Sequence, residues 1–498
     1  MDMDVIVSQL DLTMSLITLL VFLLSYLLLY RRDRGYALPP GPPVFPFIGT
    51  AYVKPTMRGL IQIRERYGDA TTVYLGPMRG VVLNSYAMVK EATVTQASVF
   101  SDRGNHASFC ISAINPRFKG VINSDYHDTL RHNRNHSLTI LRNLGVGRSC
   151  MEDKILEEAQ DLCQHFAEQN SRPFDPWNDI TCSVLNVIFH VCLNKRLQRT
   201  DPDLKQVLKY TDDVIKAGNH QPFIDAFNSL RFVPPLSITY SKLLVGDKGM
   251  ADYMWNCAET LINQFELGKD TNFIDCWLND SRDKDTQEPS FDEENLKYIL
   301  RDFLLAGSET TTTSIKWTLL FLANRPQLQE KIYDQINSVI GSSRQVRLSD
   351  REDLPLVEAL IWEIQRYNTI VPVGLPHFCT NGAKLGKYDI PPQTFVVTNL
   401  HAIHMNPDVF DNPREFIPER FIDRHGKFCK HSHVIPFGIG KRSCLGELLA
   451  RQELFLFTTS LLQRFRFLPP EGVRSLDERG ILGFTYGPKV FKLRAVPR

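Results

Sequence analysis

The sequence predicts a mainly α-helical protein with small β-sheets, folded as a single large domain behind an N-terminal transmembrane helix. Three observations predict it. From about Leu83 to Asn368 the chain reads mainly as helices. Strand-like segments are short and clustered, at Thr71–Val73, Gly80–Leu83, Lys384–Asn399 and Phe484–Leu493. Leu12 to Tyr30 carries no charged residue.

That apolar stretch of 19 residues would span roughly 28 Å as a helix, close to the hydrocarbon thickness of a bilayer. Asp2, Asp4 and Asp11 precede it, and Arg31, Arg32 and Arg34 follow. The charge order puts everything after the arginines in the cytoplasm. It is the reverse of a cleaved signal peptide, and no small-residue cleavage site follows. Residues 1–30 are therefore expected to be a single-pass anchor. Leu38-Pro39-Pro40-Gly41-Pro42-Pro43 and Pro46 come next. Such a run cannot be helical, so residues 31–46 should form a basic, proline-rich, stiff hinge. From Phe47 to Arg498 no further linker, internal repeat or low-complexity tract interrupts the chain, which reads as one domain.

Across 498 residues, 57 Lys and Arg balance 56 Asp and Glu. The net charge of +1 gives no reason to expect a nucleic-acid partner. The 10 cysteines form no CxxC pair and show no zinc-ligand spacing, which suits a reduced, cytosol-facing protein. Ser290-Phe291-Asp292-Glu293 fits a capping box, opening a long helix that should run to Asn324 before Arg325-Pro326 ends it. Its apolar circumference around Ile299–Leu305 predicts that it crosses the interior.

Three motifs carry chemistry. The first is Phe437-Gly438-Ile439-Gly440-Lys441-Arg442-Ser443-Cys444-Leu445-Gly446. A metal-bound thiolate must be buried, shielded from water and supplied with hydrogen bonds. Gly440 and Gly446 let backbone approach the sulfur, Arg442 offers a fixed cation for an anionic group, and Phe437 can exclude solvent. Leu445–Phe457 reads as a helix whose N-terminus favours the thiolate. The bland alternative is a glycine turn with an inert cysteine. The second motif is Glu363-Ile364-Gln365-Arg366, an i, i+3 pair, followed by Pro418-Glu419-Arg420-Phe421. A solvated surface pair would look the same. The third is Ala306-Gly307-Ser308-Glu309-Thr310 within the long helix. Gly307 leaves room for a ligand, Thr310 offers a hydroxyl, and Glu309 can relay protons. A threonine-rich helix interior is the alternative.

Together these motifs resemble the cytochrome P450 family, and the resemblance covers nearly the whole chain. It implies that family's fold, with haem b ligated through its iron by Cys444. It implies that Glu363, Arg366 and Arg420 form a buried triad behind the cysteine loop, and that Glu309 and Thr310 sit over the opposite haem face. Arg103 in Phe100-Ser101-Asp102-Arg103-Gly104, His377 after Pro376, and Arg134 would join Arg442 at the haem propionates. The family's usual tryptophan before Arg134 is replaced by Leu130, which removes one propionate hydrogen bond.

Leu375-Pro376-His377 and the match through Cys444–Phe457 resemble the animal microsomal group, which places the chain in the endoplasmic reticulum membrane. The resemblance implies a substrate pocket lined by parts of Ser108–Val121, Phe303, Leu305, Ala306, Ile370, Val371, Val373, Leu375, Leu482 and Phe484, mostly apolar and suited to a lipophilic substrate. The chain shows no flavin or nicotinamide fingerprint. Electrons are expected from NADPH through a flavoprotein reductase, with cytochrome b5 as a second partner. Arg131, Arg134, Arg142, Lys427, Lys430 and Lys441 would form the docking face. The expected activity is insertion of one oxygen atom of O2 into a drug-, steroid- or fatty-acid-like molecule. The alternatives are a haem-thiolate isomerase or dehydratase of lipid hydroperoxides, and a non-catalytic haem-binding membrane protein.

Overall fold

A computed structural model describes residues 13–17, 19–21, 23–24, 33–51, 56–104, 108–146, 149–283 and 291–498. Helices dominate, and the strands gather into one four-stranded and three two-stranded sheets among these residues. Residues 13–17, 19–21 and 23–24 are helical, and Met14, Leu16, Leu19, Leu20, Leu23 and Leu24 are exposed. The rest of the expected anchor lies outside the described residues. No described helix is long and apolar enough to cross a membrane.

The described part of the proline-rich segment is docked rather than free. The Thr72 hydroxyl donates to the Pro39 carbonyl at 2.7 Å and the Thr72 amide to the Pro40 carbonyl at 3.0 Å. A Cβ on Gly41 would lie 2.1 Å from the Thr72 carbonyl oxygen, so only glycine lets the two backbones meet. Asp33 bonds both Tyr74 and Arg79. The segment is thus stitched to the strand Ala70–Leu75, and prolines suit a backbone that gives carbonyls and needs few donors.

The four-stranded sheet runs in the order Ala70–Leu75, Met78–Leu83, Thr394–Thr398, His377–Cys379. Its middle pair is parallel and its outer pairs antiparallel, so two distant parts of the chain share one sheet. At the C-terminus the strands lie at Gly480–Leu482, Tyr486–Pro488 and Arg494–Pro497 rather than through 484–493. Phe484 falls in the turn between the first two.

The long helix spans Glu293–Ala323, 31 residues or about 46 Å. Its cap is Asp292, whose carboxylate accepts the Asn295 amide at 2.6 Å. The expected cap residue Ser290 lies outside the described residues, and the helix is three residues shorter than the 34 the sequence suggests. It packs on the helices Trp177–Leu193, Leu236–Asn263 and Glu447–Arg464. From Thr311 to Ala323 every residue is buried, as expected of a helix apolar on most sides. Asn324 ends it, bonding the Leu476 carbonyl at 3.0 Å, and Pro326 opens the next helix.

Candidate functional site

The Cys444 loop is a series of tight turns. The Gly438 amide donates to the Ile435 carbonyl at 3.0 Å, the Ser443 amide to Gly440 at 3.1 Å, and the Cys444 amide to Phe437 at 2.9 Å. Gly440 adopts a φ of +85°, and a Cβ there would sit 1.9 Å from the Thr93 carbonyl oxygen. Its need for glycine therefore comes from Thr93 rather than from the sulfur. Gly446 does what its spacing suggests: its amide hydrogen-bonds the Cys444 sulfur. The helix that follows is Glu447–Arg464, starting two residues after Leu445, with Gly446 as its N-cap. Burial pushes the Cys444 thiol up, while the Gly446 amide, Arg134 and Arg451 pull it down. The Cys444 side chain keeps accessible surface, which leaves its sulfur open to a ligand.

Around this loop the chain gathers cations. Arg442 donates to the carbonyls of Ser101, at 2.8 Å, Val121 and Ser124. Arg103 donates to Ile122, Leu375 and Pro376, at 3.1, 3.1 and 2.8 Å. Arg134 donates to the Ser443 carbonyl at 2.6 Å. His377 Nδ1 bonds the Phe100 carbonyl at 2.6 Å. These groups repel one another where water cannot screen them. Burial, then Arg103 and Arg134, hold Arg442 down to about 8. Burial and Arg134 hold Arg103 down to about 10, and burial and Arg103 hold His377 down to about 3.

The nearest anions already have work. Asp125 accepts the Arg103 and Gly104 amides, and Asp102 accepts the Tyr126 amide and the Thr380 hydroxyl. A buried cluster with surplus positive charge fits a ligand bearing two carboxylates, which is what a haem edge presents. Leu130, in the place of a tryptophan, is fully buried in the core and offers no donor.

The triad is assembled. Arg366 grips Glu363 with two bonds of 2.7 and 2.8 Å, and Arg420 reaches the same carboxylate at 3.2 Å. The Ile417 amide adds a fourth bond to Glu363 at 2.8 Å. The remaining guanidinium hydrogens go to backbone carbonyls of His404, Asp411, Asn412, Pro413 and Glu415. Glu363 and Arg366 are 0% exposed, so the surface-pair alternative fails.

On the long helix the arrangement differs from the expectation at two residues. A Cβ on Gly307 would sit 2.5 Å from Ile188 Cδ1, so that glycine admits a neighbouring helix rather than a ligand. Ala306 is the accessible residue on this turn, with Phe303 and Thr310 half-buried beside it. Thr310 donates to the Ala306 carbonyl at 2.9 Å. Glu309 is directed elsewhere: it accepts from Thr313 at 3.2 Å and from Thr485 at 3.3 Å. Burial pushes its carboxyl up to about 7, against the pull of Thr313, Lys316 and Thr485. The acid and the alcohol therefore occupy different sides of one turn.

Of the expected pocket residues, Val371, Val373, Leu375 and Leu482 are half-buried, Ile370 is buried, and Phe484 is exposed. Phe303 packs edge-on against Phe273. Of the basic residues, Arg131, Arg142, Lys427, Lys430 and Lys441 are exposed, whereas Arg134 is turned in to the loop. Sequence reasoning missed Arg451, which lies between the rings of Phe437 and Trp362 at 4.8 and 4.7 Å. Its i, i+4 ion pair with Glu447 was the available signal. It also missed Lys316, buried 3.8 Å from the Trp177 ring centre and held down to about 8 by burial.

A model of the cytochrome P450 family matches residues 39–495. The chain is 34% identical over 489 residues to cytochrome P450 2D14 of Bos taurus, covering 97% of each protein. It is 33% identical over 495 residues to the vitamin D(3) 25-hydroxylase of Sus scrofa, again covering 97% of each. It is 34% identical over 503 residues to cytochrome P450 2J2 of Homo sapiens, covering 98% of this chain and 96% of the relative. These relatives favour neither of the two alternative activities.

Proposed function

The chain belongs to the cytochrome P450 family and is a haem-thiolate monooxygenase, and from that premise we propose the roles of its residues. Bound haem supplies the activation of O2, of which one atom enters a lipophilic substrate and the other leaves as water. Cys444 is the iron ligand, kept in thiolate form by the metal and by the Gly446 amide. Arg442, Arg103 and Arg134 take the propionates, joined by His377 once the propionate charge lets its Nε2 protonate, its Nδ1 hydrogen being given to Phe100. The observation that carries this reading is the surplus of buried positive charge around Cys444. Phe437 screens the sulfur, backed by the Arg451 guanidinium.

Thr310 presents its hydroxyl from the accessible turn. In releasing the Ala306 carbonyl it can donate to an oxygen at the substrate side. Glu309, with a carboxyl titrating near neutrality, can give up and regain a proton at working pH. To serve Thr310 its side chain must rotate away from Thr313 and Thr485. Ala306, Phe303, Ile370, Val371, Val373, Leu375, Leu482 and Phe484 offer apolar contact to a drug-, steroid- or fatty-acid-like substrate.

Electrons come from NADPH through a flavoprotein reductase, with cytochrome b5 as a second donor, docking on the exposed Arg131, Arg142, Lys427, Lys430 and Lys441. Residues 1–30 anchor the protein in the endoplasmic reticulum membrane as a single pass, 31–46 form the basic and proline-rich hinge, and 47–498 form the cytoplasmic catalytic domain.

The test is the absorbance of the dithionite-reduced, CO-bound protein. Thiolate ligation gives a band near ~450 nm. Cys444→Ala should abolish it. Thr310→Ala should keep it while NADPH consumption outruns product. A parent protein without the band overturns the ligand assignment.

A further inference from the structure

His404 is 0% exposed, at the end of the short helix Leu400–His404. Its Nε2 accepts the Ile435 amide at 2.9 Å. Its Nδ1 lies 2.9 Å from the Thr369 hydroxyl, which itself donates to the Arg366 carbonyl at 2.9 Å. A hydroxyl whose hydrogen is already given must accept at its oxygen. Nδ1 therefore carries the ring hydrogen, and Nε2 is the acceptor. Arg366 closes the circuit by donating to the His404 carbonyl at 3.0 Å. On the other side, the Ile435 carbonyl holds the Gly438 amide at 3.0 Å, the first turn of the Cys444 loop.

We propose that His404 is a positioning residue that fixes the register of the Cys444 loop against the Glu363–Arg366 pair. Both ring nitrogens are used, one toward each element, so the imidazole is a rigid spacer between the triad and the loop. The neutral ring is the form this bonding needs. Burial, helped by His401 and Arg366, holds its pKa well below the usual histidine value. His401 provides the contrast. It lies on the same helix, 4% exposed, and its Nδ1 has no partner. His401 fills space, whereas His404 transmits position.

The inference rests on Cys444 as the haem ligand. The experiment compares full-length, haem-loaded parent, His404→Leu, His404→Gln and His401→Leu by the ratio of the ~420 nm to the ~450 nm band after reduction and CO binding. Leucine removes both ring bonds, and the ratio should rise about fivefold or more, the scale of one lost buried hydrogen bond. Glutamine offers an amide oxygen to Ile435 and should restore most of the parental ratio. His401→Leu should stay within about twofold of the parent. A parental ratio in His404→Leu overturns the inference, as does a glutamine variant as shifted as the leucine one. If His404→Leu does not accumulate, His404→Gln decides alone: a parental ratio supports the inference and a shifted one overturns it. A parent lacking the ~450 nm band fails at the ligand assignment, and the inference falls with it.

Discussion

In the Glu363–Arg366–Arg420 network two guanidiniums share one fully hydrogen-bonded carboxylate, whereas in Asp247–Arg301–Asp302 two carboxylates share one guanidinium and one of them has no hydrogen bond. Both are buried: Glu363 and Arg366 are 0% exposed, and Asp247, Arg301 and Asp302 are at most 2%. In the first network Glu363 accepts four bonds, and both arginines spend their other hydrogens on backbone carbonyls. In the second, Asp302 is well used. It takes Arg301 at 2.8 Å and the Val121 and Ile122 amides at 2.8 and 2.9 Å. Asp247 is only 3.4 Å from Arg301 Nε, and neither of its oxygens has a hydrogen-bond partner. Burial raises both aspartates toward neutrality, with Arg301 opposing. A satisfied ionic network fixes geometry. An under-satisfied one makes stability depend on protons.

The largest break in this contrast should come from Glu363→Gln. It leaves the buried Arg366 and the half-buried Arg420 without an anion and should cost about 3–5 kcal/mol. Urea denaturation measures it, and a variant as stable as the parent would erase the distinction. Asp302→Asn should cost less, about 1–3 kcal/mol, because its amide oxygen can still accept from both Val121 and Ile122, which bond one carboxylate oxygen, and Asp247 remains for Arg301. Limited trypsin cleavage after Arg117 and Lys119 should accelerate in that variant.

Asp247→Asn should be the mildest, within about 1 kcal/mol of the parent at neutral pH, and should change the pH profile. Both aspartates have folded values raised above the ordinary 3.8. The folded state then holds its protons more tightly, so their contribution is complete below 3.8 and is lost as pH rises through the raised values. Parent stability should therefore fall more steeply than that of the variant as pH rises above 3.8. Parallel profiles would show that Asp247 is charged and adequately balanced.

The turns of the cysteine loop were legible because they are local, although what requires Gly440 is distant Thr93. Glycine, arginine and cysteine at fixed spacing constrain one short backbone, and that backbone makes its own turns. The triad was legible through the family resemblance, which implied both its members and its burial; the shared helix face of Glu363 and Arg366 alone would equally suit a surface pair. The long helix was legible in extent and misread in detail. Gly307 and Glu309 look toward a ligand when the helix is considered alone. In the fold, Ile188 claims the first and Thr485 the second.

By itself, then, the sequence determined the mainly helical class, the family, the turns around Cys444 and the extent of the long helix, all properties of neighbours along the chain. Tertiary structure alone decided which carbonyls hold Arg442, which oxygen Glu309 faces, and that His404 joins two distant segments. The reason is physical: a buried polar group must find its partner in space, and partners supplied by packing leave no periodicity or spacing in the chain.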